Sequence, residues 1–137
     1  MTLERFIKAQ EIDYPIALSE MRAGRKRSHW MWYIFPQIKG LGFSSTAQYY
    51  AIQSKKEAEE YLAHPVLGKR LHEISEALLE IKSSDASRVM GYPDDMKLKS
   101  SMTLFYLVSG DEIFKKVLDK FFDGDIDKKT EKLLYSA

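Results

Sequence analysis

Apolar side chains recur at helical spacing in the middle of the chain. Between residues 66 and 81 they are separated alternately by four and three positions, at Leu67, Leu71, Ile74, Leu78 and Ile81. This spacing places all of them on one face of an α-helix, so the pattern predicts an amphipathic helix over residues 66–81. We expect its apolar face to pack against the core.

Further helices are predicted downstream of this one. Pro93-Asp94-Asp95 is typical of a helix start, and the residues that follow are apolar around most of the helical circumference. A helix of that composition is buried on all sides, so we expect it at the centre of the protein. Ser109-Gly110-Asp111 ends it and begins a helix that runs to Phe122, and Asp127 caps a last short helix.

The N-terminal half is marked mainly by helix starts and stops. Residues 2–12 are predicted to form a short helix or an arm, and Asp13-Tyr14-Pro15 to start a new helix that ends at Gly24. Ser54 and Glu57 have the spacing of a capping box in front of another helix. Residues 82–87 are interpreted as a polar loop, and residues 89–92 as a turn.

The stretch from Ser28 to Gln37 is rich in aromatic residues and contains both tryptophans of the protein. Strand alternation would give it two apolar faces, which is typical of a buried extended element, and Pro36 would end that element. We therefore predict a mainly α fold: a single compact helical domain over residues 1–137, with a short extended element near 30–35. A second extended segment is predicted over 48–53.

The composition excludes several classes of function. The sequence has no cysteine, which excludes disulfides, thiolate nucleophiles and cysteine-ligated metal sites. Its three histidines, His29, His64 and His72, are far apart, so no bound metal is predicted. Walker loops, G-x-G-x-x-G, G-x-S-x-G and H-E-x-x-H motifs are also missing from the sequence, so no cofactor is predicted.

Charge and hydropathy bear on partners and location. The formal net charge of +1 argues against a wholly basic nucleic-acid-binding protein, although Arg25-Lys26-Arg27 would form a local basic patch. No run approaches 18 apolar residues, and the first residues lack the apolar core of a signal peptide. We expect a cytoplasmic protein with no membrane partner and with a small molecule as its ligand.

The aromatic stretch is the first candidate site. Trp30 or Trp32 would stack on a planar group, His29 would supply a group that titrates near neutral pH, and Gln37 would supply an amide for hydrogen bonding. The alternative is that these rings are core residues, because each buries 150–250 Å² when packed. His29 and Gln37, at the polar ends of the stretch, are the stronger site candidates.

The second candidate site is the start of the central helix. Lys97 and Ser101 share a helix face, and Asp95 and Ser100 lie beside them. Hydroxyl groups in an apolar central helix either bond to a carbonyl one turn earlier or line a polar cavity, where Lys97 would anchor a phosphate or carboxylate. The alternative for the acidic residues is that they cap the helix.

Specific motifs resemble those of a known family. Residues 24–37, followed by Gly40-Leu41-Gly42, closely resemble a bacterial and fungal family catalogued as domain-of-unknown-function family 1810, whose members are sometimes labelled calpastatin. The resemblance continues through Tyr50-Ala51-Ile52, His64-Pro65 and Ser100-Ser101-Met102-Thr103-Leu104-Phe105. It implies a small, mostly helical domain with no established activity. The calpastatin label fits poorly, because that inhibitor is disordered and repetitive.

A more distant similarity concerns the C-terminal half of the chain. An acidic residue, Lys97, Met102, Phe105 and a helix ending in Phe122 occur in an order similar to that of the NADAR domains. Those domains are linked to ADP-ribose and N-glycosidic bond chemistry, so the similarity implies a nucleotide-derived ligand. No counterpart of their catalytic glutamate is present in this sequence.

These observations together predict an enzyme that cleaves an N-glycosidic bond in an ADP-ribose-like or nucleotide-like molecule. The base would stack on Trp30 or Trp32, the phosphate or ribose would bind Lys97, Ser100 and Ser101, and His29 or Asp95 would transfer the proton. The alternatives are a non-catalytic module for a nucleotide, single-stranded nucleic acid or protein, and a purely structural role for the aromatic stretch. The enzyme and the binding module both require His29, Gln37 and the Lys97–Ser101 face to converge in space, whereas the structural role does not.

Overall fold

The computed structural model describes residues 2–136, and the structured part of that range is helical. The prediction of a mainly α fold is confirmed. The helices in the described range are α1 (Glu4–Arg22), α2 (Met31–Ile34), α3 (Ser45–Tyr49), α4 (Lys55–Ala63), α5 (Leu67–Glu80), α6 (Ala86–Met90), α7 (Asp94–Ser109), α8 (Glu112–Phe122) and α9 (Lys128–Tyr135).

Helix α7 lies at the centre of the fold, as its composition predicts. It packs against α4, α6, α8 and α9, and the side chains of residues 100–105 are all buried. Helix α5 matches the predicted amphipathic helix to within one residue at each end, and Leu71, Ile74 and Leu78 on its apolar face are buried. A second layer, formed by α1 and α5, joins the first through the contact of α5 with α8.

The prediction of a separate short helix or arm over residues 2–12, followed by a new helix start at residues 13–15, is wrong. A single helix, α1, runs from Glu4 to Arg22 and contains Pro15 in its interior. A proline inside a helix costs about 3 kcal/mol, because it removes one hydrogen bond and crowds the preceding turn. Buried side chains on both sides of Pro15, such as Phe6 and Met21, offset that cost by packing into the core.

The extended element predicted near 30–35 is also wrong, because residues Met31–Ile34 form the short helix α2. The amides of Ile34 and Phe35 donate to the carbonyls of Trp30 and Met31, so the turn satisfies its own hydrogen bonds without a neighbouring strand. One helical turn also places Trp30, Met31, Ile34 and Phe35 together in the core.

Little of the extended segment predicted over 48–53 is present. Residues Ser45–Tyr49 form helix α3, and Ile52 makes an isolated parallel bridge with Ile38. The bridge consists of the Ile52 amide donating to Gln37 and the Lys39 amide donating to Ile52. This pairing holds the loop between α2 and α3 against the start of α4.

The segment interpreted as a polar loop and a turn contains helix α6. Asp85 caps it by accepting a hydrogen bond from the Arg88 amide at 3.2 Å, and Val89 and Met90 are buried against α7. No helix within residues 2–136 has the length and apolar character needed to cross a membrane.

Candidate functional site

Four of the residues proposed from the sequence line one open cleft of about 280 Å³, which we call the Trp32 cleft. Trp32 and Gln37 come from α2 and the loop after it, whereas Lys97 and Ser100 come from the first two turns of α7. The remaining wall residues are Leu41, Gly42, Pro93, Met96, Asp127 and Lys129. The fold therefore joins the two candidate sites, which are about 60 residues apart in the sequence.

Lys97 is held in place at the wall of this cleft. Its Nζ lies 4.1 Å from the centroid of the Trp32 ring and 3.1 Å from Oδ1 of Asp94. The first contact is a cation–π interaction, and the second is an ion pair within one turn of α7. The ammonium group of Lys97 is therefore oriented before any ligand binds.

Asp94 joins Lys97 to a second lysine from the basic segment. Lys26 Nζ lies 2.9 Å from Asp94 Oδ2 and 5.0 Å from the centroid of Trp30. Burial alone would raise the pKa of Asp94, but the hydrogen bonds and charges of Lys26 and Lys97 outweigh it and hold that pKa below its usual value. Each tryptophan thus faces one lysine, and the carboxylate of Asp94 lies between the two lysines.

Gly42 shapes the part of the cleft wall next to the Trp32 ring. A Cβ atom at this position would lie 2.6 Å from the Cβ of Ala47, well inside van der Waals contact, and 3.5 Å from the Trp32 ring. The glycine therefore lets the loop after α2 pack closely against both α3 and Trp32. The tight packing fixes the edge of the tryptophan ring that faces the cleft.

Asp127 is a cleft residue that we interpreted only as a helix cap from the sequence. Its Oδ2 accepts hydrogen bonds from Ser100 Oγ at 3.0 Å and from the hydroxyl and amide of Thr130. Its own amide donates to Thr103 Oγ1 at 2.9 Å. The sequence signal for this position is the pair of hydroxyls on α7, Ser100 and Thr103, which need a polar partner when they are buried.

Glu20 organises the basic segment that precedes α2. Its carboxylate accepts four hydrogen bonds, from the amides of Arg27 and Ser28, from Ser28 Oγ and from Trp30 Nε1. Burial would raise the pKa of Glu20, but these hydrogen bonds to the charged form outweigh it and lower the pKa from 4.5 to about 2. The carboxylate thereby fixes the path of the chain into α2.

Replacing Glu20 by glutamine is expected to lower the free energy of unfolding by about 1–2 kcal/mol at pH 7, because the charged acceptor is lost. The pKa is lower in the folded chain than in the unfolded one, so the stabilisation is complete above pH 4.5 and is lost as the pH falls towards 2. Urea unfolding between pH 3 and pH 7 measures this effect. The difference in the free energy of unfolding between wild type and Glu20→Gln should shrink as the pH falls. Glu76→Gln, on the exposed face of α5, should have the same free energy of unfolding as wild type at each pH. A constant difference would contradict the assignment.

The other predicted site residues do not line the Trp32 cleft. His29 is exposed, and only its carbonyl is used, as an acceptor for Tyr33 Oη at 3.2 Å. Asp95 is buried, and its Oδ2 accepts a hydrogen bond from Ser87 Oγ at 2.7 Å, which ties α6 to α7. The predicted convergence therefore holds for Gln37 and Lys97 but not for His29.

Two further candidates lie in the core. Trp30 is only 1% exposed, and Ser101 is fully buried. Within residues 2–136, the Ser101 hydroxyl has no hydrogen-bond partner, unlike Ser100 one position earlier. The core interpretation of the aromatic stretch thus applies to Trp30, whereas Trp32 reaches the cleft.

Comparisons with known proteins agree with the predicted family. The chain is 43% identical to the conserved hypothetical protein Rv1873 from Mycobacterium tuberculosis, whose crystal structure it matches with a TM-score of 0.96 over 98% of this chain and 97% of that one. No curated protein matches the chain. The family of unknown function DUF1810 matches over residues 1–134. On that match, which spans nearly the whole sequence, the chain belongs to the DUF1810 family.

Proposed function

We propose that the Trp32 cleft binds a small ligand in which a planar ring is joined to an anionic group, as in a mononucleotide. The observation that carries this proposal is the meeting of Trp32, Gln37, Lys97 and Ser100 at one cleft. Ligand sites are concave, largely apolar surfaces with a few convergent polar groups, and this combination fits that description.

Each part of the cleft matches one part of such a ligand. Trp32, Leu41 and Met96 offer apolar contact for a ring, and the Gln37 amide offers both a donor and an acceptor for its edge. Lys97 and Lys129 offer cationic groups for a phosphate. The volume of about 280 Å³ favours a mononucleotide over a dinucleotide.

Replacing Lys97 by methionine, or Trp32 by leucine, is expected to weaken binding of AMP at least tenfold, equivalent to about 1.4 kcal/mol. Methionine keeps the apolar stem of Lys97 but removes its charge, and leucine removes the ring face. Calorimetric titration with AMP, ADP-ribose and NAD measures the affinities. Lys69→Met, on an exposed position of α5 away from the cleft, serves as the matched control.

Two results would contradict this proposal. One is wild-type protein that binds none of the three nucleotides. The other is equal loss of affinity in Lys69→Met and Lys97→Met, which would indicate general electrostatic attraction instead of a site. Thermal unfolding of each variant separates loss of binding from loss of fold.

Hydrolysis of an N-glycosidic bond is a second candidate function, and the position of Asp127 favours it. Its carboxylate lines the cleft, its Oδ2 is oriented by Ser100 and Thr130, and Oδ1 makes no hydrogen bond within residues 2–136. With nicotinamide mononucleotide, water would add to the anomeric carbon while the C–N bond breaks. Nicotinamide would leave with the electron pair, and Asp127 would take the proton of the water and pass it to solvent.

The substitution Asp127→Asn tests this candidate without removing the helix cap, because asparagine caps helices as well as aspartate does. We expect it to reduce release of nicotinamide from nicotinamide mononucleotide at least 100-fold, the lower end of the effect of a general base. Chromatography of the released base measures the rate. Wild-type protein that binds nucleotide but releases no base would rule out hydrolysis and leave the binding proposal intact.

A further inference from the structure

A second depression adjoins the Trp32 cleft. It has a volume of about 510 Å³ and is lined by Lys99, Gly124, Asp125, Ile126, Asp127 and Lys128. Asp127 belongs to the walls of both, so the two depressions meet at this residue. We call the combined surface the double groove. Its two parts together enclose much more volume than the Trp32 cleft alone.

The double groove is lined by four lysines and by the two aspartates Asp125 and Asp127, and three of the lysines have no carboxylate partner within residues 2–136. Lys97 is paired with Asp94, but within residues 2–136 the amino groups of Lys99, Lys128 and Lys129 have no acidic oxygen within 4.0 Å. These three lysines come from α7 and α9 and line the two parts of the groove. Unpaired lysines along a groove are the arrangement that binds successive phosphates of a chain.

Exposed apolar side chains lie in the wall of the Trp32 cleft or next to its wall residues in the sequence. Tyr92 is 82% exposed, Phe43 is 79% exposed and Met96 is 51% exposed. Tyr92 is followed by the wall residue Pro93, Phe43 follows the wall residue Gly42, and Met96 itself lines the cleft. Exposed rings beside a cationic groove provide stacking surfaces for bases, and stacking is tolerant of sequence.

We propose that the double groove binds single-stranded nucleic acid. This inference rests on the proposed function, because one nucleotide of the strand occupies the Trp32 cleft. The phosphates on one side of that nucleotide bind Lys99 and Lys128, and bases on the other side stack on Tyr92 and Phe43. A free mononucleotide would use only the central part of this surface.

Fluorescence anisotropy with labelled ten-nucleotide oligothymidylate and oligouridylate tests the inference. We expect the oligonucleotides to bind at least tenfold more tightly than the corresponding mononucleotides. If Lys99 and Lys128 each bind one phosphate in addition to the one in the Trp32 cleft, a tenfold rise in salt should weaken the oligonucleotide by more than about 25-fold. The double variant Lys99→Met/Lys128→Met should weaken oligonucleotide binding at least tenfold and leave mononucleotide affinity unchanged.

The matched control is Lys69→Met, which should change neither affinity, and Tyr92→Leu should weaken only the oligonucleotides. Equal affinity for mononucleotide and oligonucleotide would overturn this inference and leave the proposed function standing. Failure of both to bind would overturn both proposals. Equally tight binding of a polyglutamate peptide would identify the groove as a docking site for acidic protein and would also overturn the inference.

Discussion

Replacing Glu57 by alanine is expected to lower the free energy of unfolding by about 3–5 kcal/mol. Glu57 is 8% exposed and pairs with Arg5, which is 5% exposed. The pair is bidentate, with nitrogen–oxygen distances of 2.7 and 3.2 Å. Removing the carboxylate would leave the guanidinium buried without its counter-ion, and a domain of this size has only about 5–15 kcal/mol of stability.

This loss of stability arises because one buried charge is left unpaired. A double variant distinguishes that effect from the net contribution of the ion pair to stability. In Arg5→Met/Glu57→Met both charges are absent, so much of the lost stability should return. Asp119→Ala breaks the exposed pair with Lys115 and should change the free energy of unfolding far less, because solvent screens an exposed ion pair. Urea unfolding measures all three variants. A loss in Glu57→Ala as small as that in Asp119→Ala would contradict the buried-pair assignment.

Replacing Gly68 by alanine is expected to lower the free energy of unfolding by about 3 kcal/mol or more. A Cβ atom at this position would lie 2.0 Å from the carbonyl oxygen of Leu62 and 2.9 Å from its carbonyl carbon. Both are backbone atoms of α4, so no side-chain rotation relieves the clash. Helices α4 and α5 would have to separate, and Leu67 and Leu71 would lose their packing.

The variant Gly110→Ala separates this clash from the general effect of removing a glycine. A Cβ at Gly110 meets no atom within 4 Å, but its φ of 69° is left-handed, so alanine should cost about 1–2 kcal/mol of backbone strain. Thermal and urea unfolding compare the two variants. Equal losses would show that the close approach of α4 and α5 is easily relaxed.

The predictable parts of the fold are those whose local pattern and tertiary packing agree. The four-three spacing from Leu67 to Ile81 predicts α5, and the side chain of Ser54 caps α4 as the capping-box pattern predicts. The glutamate of that box bonds to the Gln53 amide, one residue earlier than expected, because its other contacts are with Arg5. The long-range contact with Arg5 therefore changes which backbone amide the glutamate of this local motif bonds to.

Local sequence patterns give wrong predictions where tertiary packing favours a different structure. Pro15 normally marks a helix start, but α1 continues through it because both halves of the helix have buried side chains. Residues 30–35 have strand-like composition, yet no second segment within residues 2–136 offers them a ladder of amides and carbonyls. A helical turn satisfies their backbone groups within the segment. Neither the helix through Pro15 nor the helical turn at Met31–Ile34 can be predicted from ten consecutive residues of sequence.

The candidate site was partly predictable for a similar reason. The sequence marks four cleft residues as polar or aromatic side chains in unusual surroundings: Trp32, Gln37, Lys97 and Ser100. It does not mark Asp127 and Lys129, because an aspartate that starts a helix and a lysine in its first turn are ordinary in sequence. They reach the cleft through the packing of α9 against α7.

The lysine above Trp32 gives the protein an internal optical reporter. The sequence contains only two tryptophans, and Trp30 is buried with its Nε1 bonded to Glu20. Trp32 instead lines the cleft, with the charge of Lys97 at 4.1 Å from its ring. An anion that draws Lys97 away changes the electric field at that ring. Emission from the unlabelled protein would therefore follow occupancy of the cleft, and Trp32→Leu would abolish the signal.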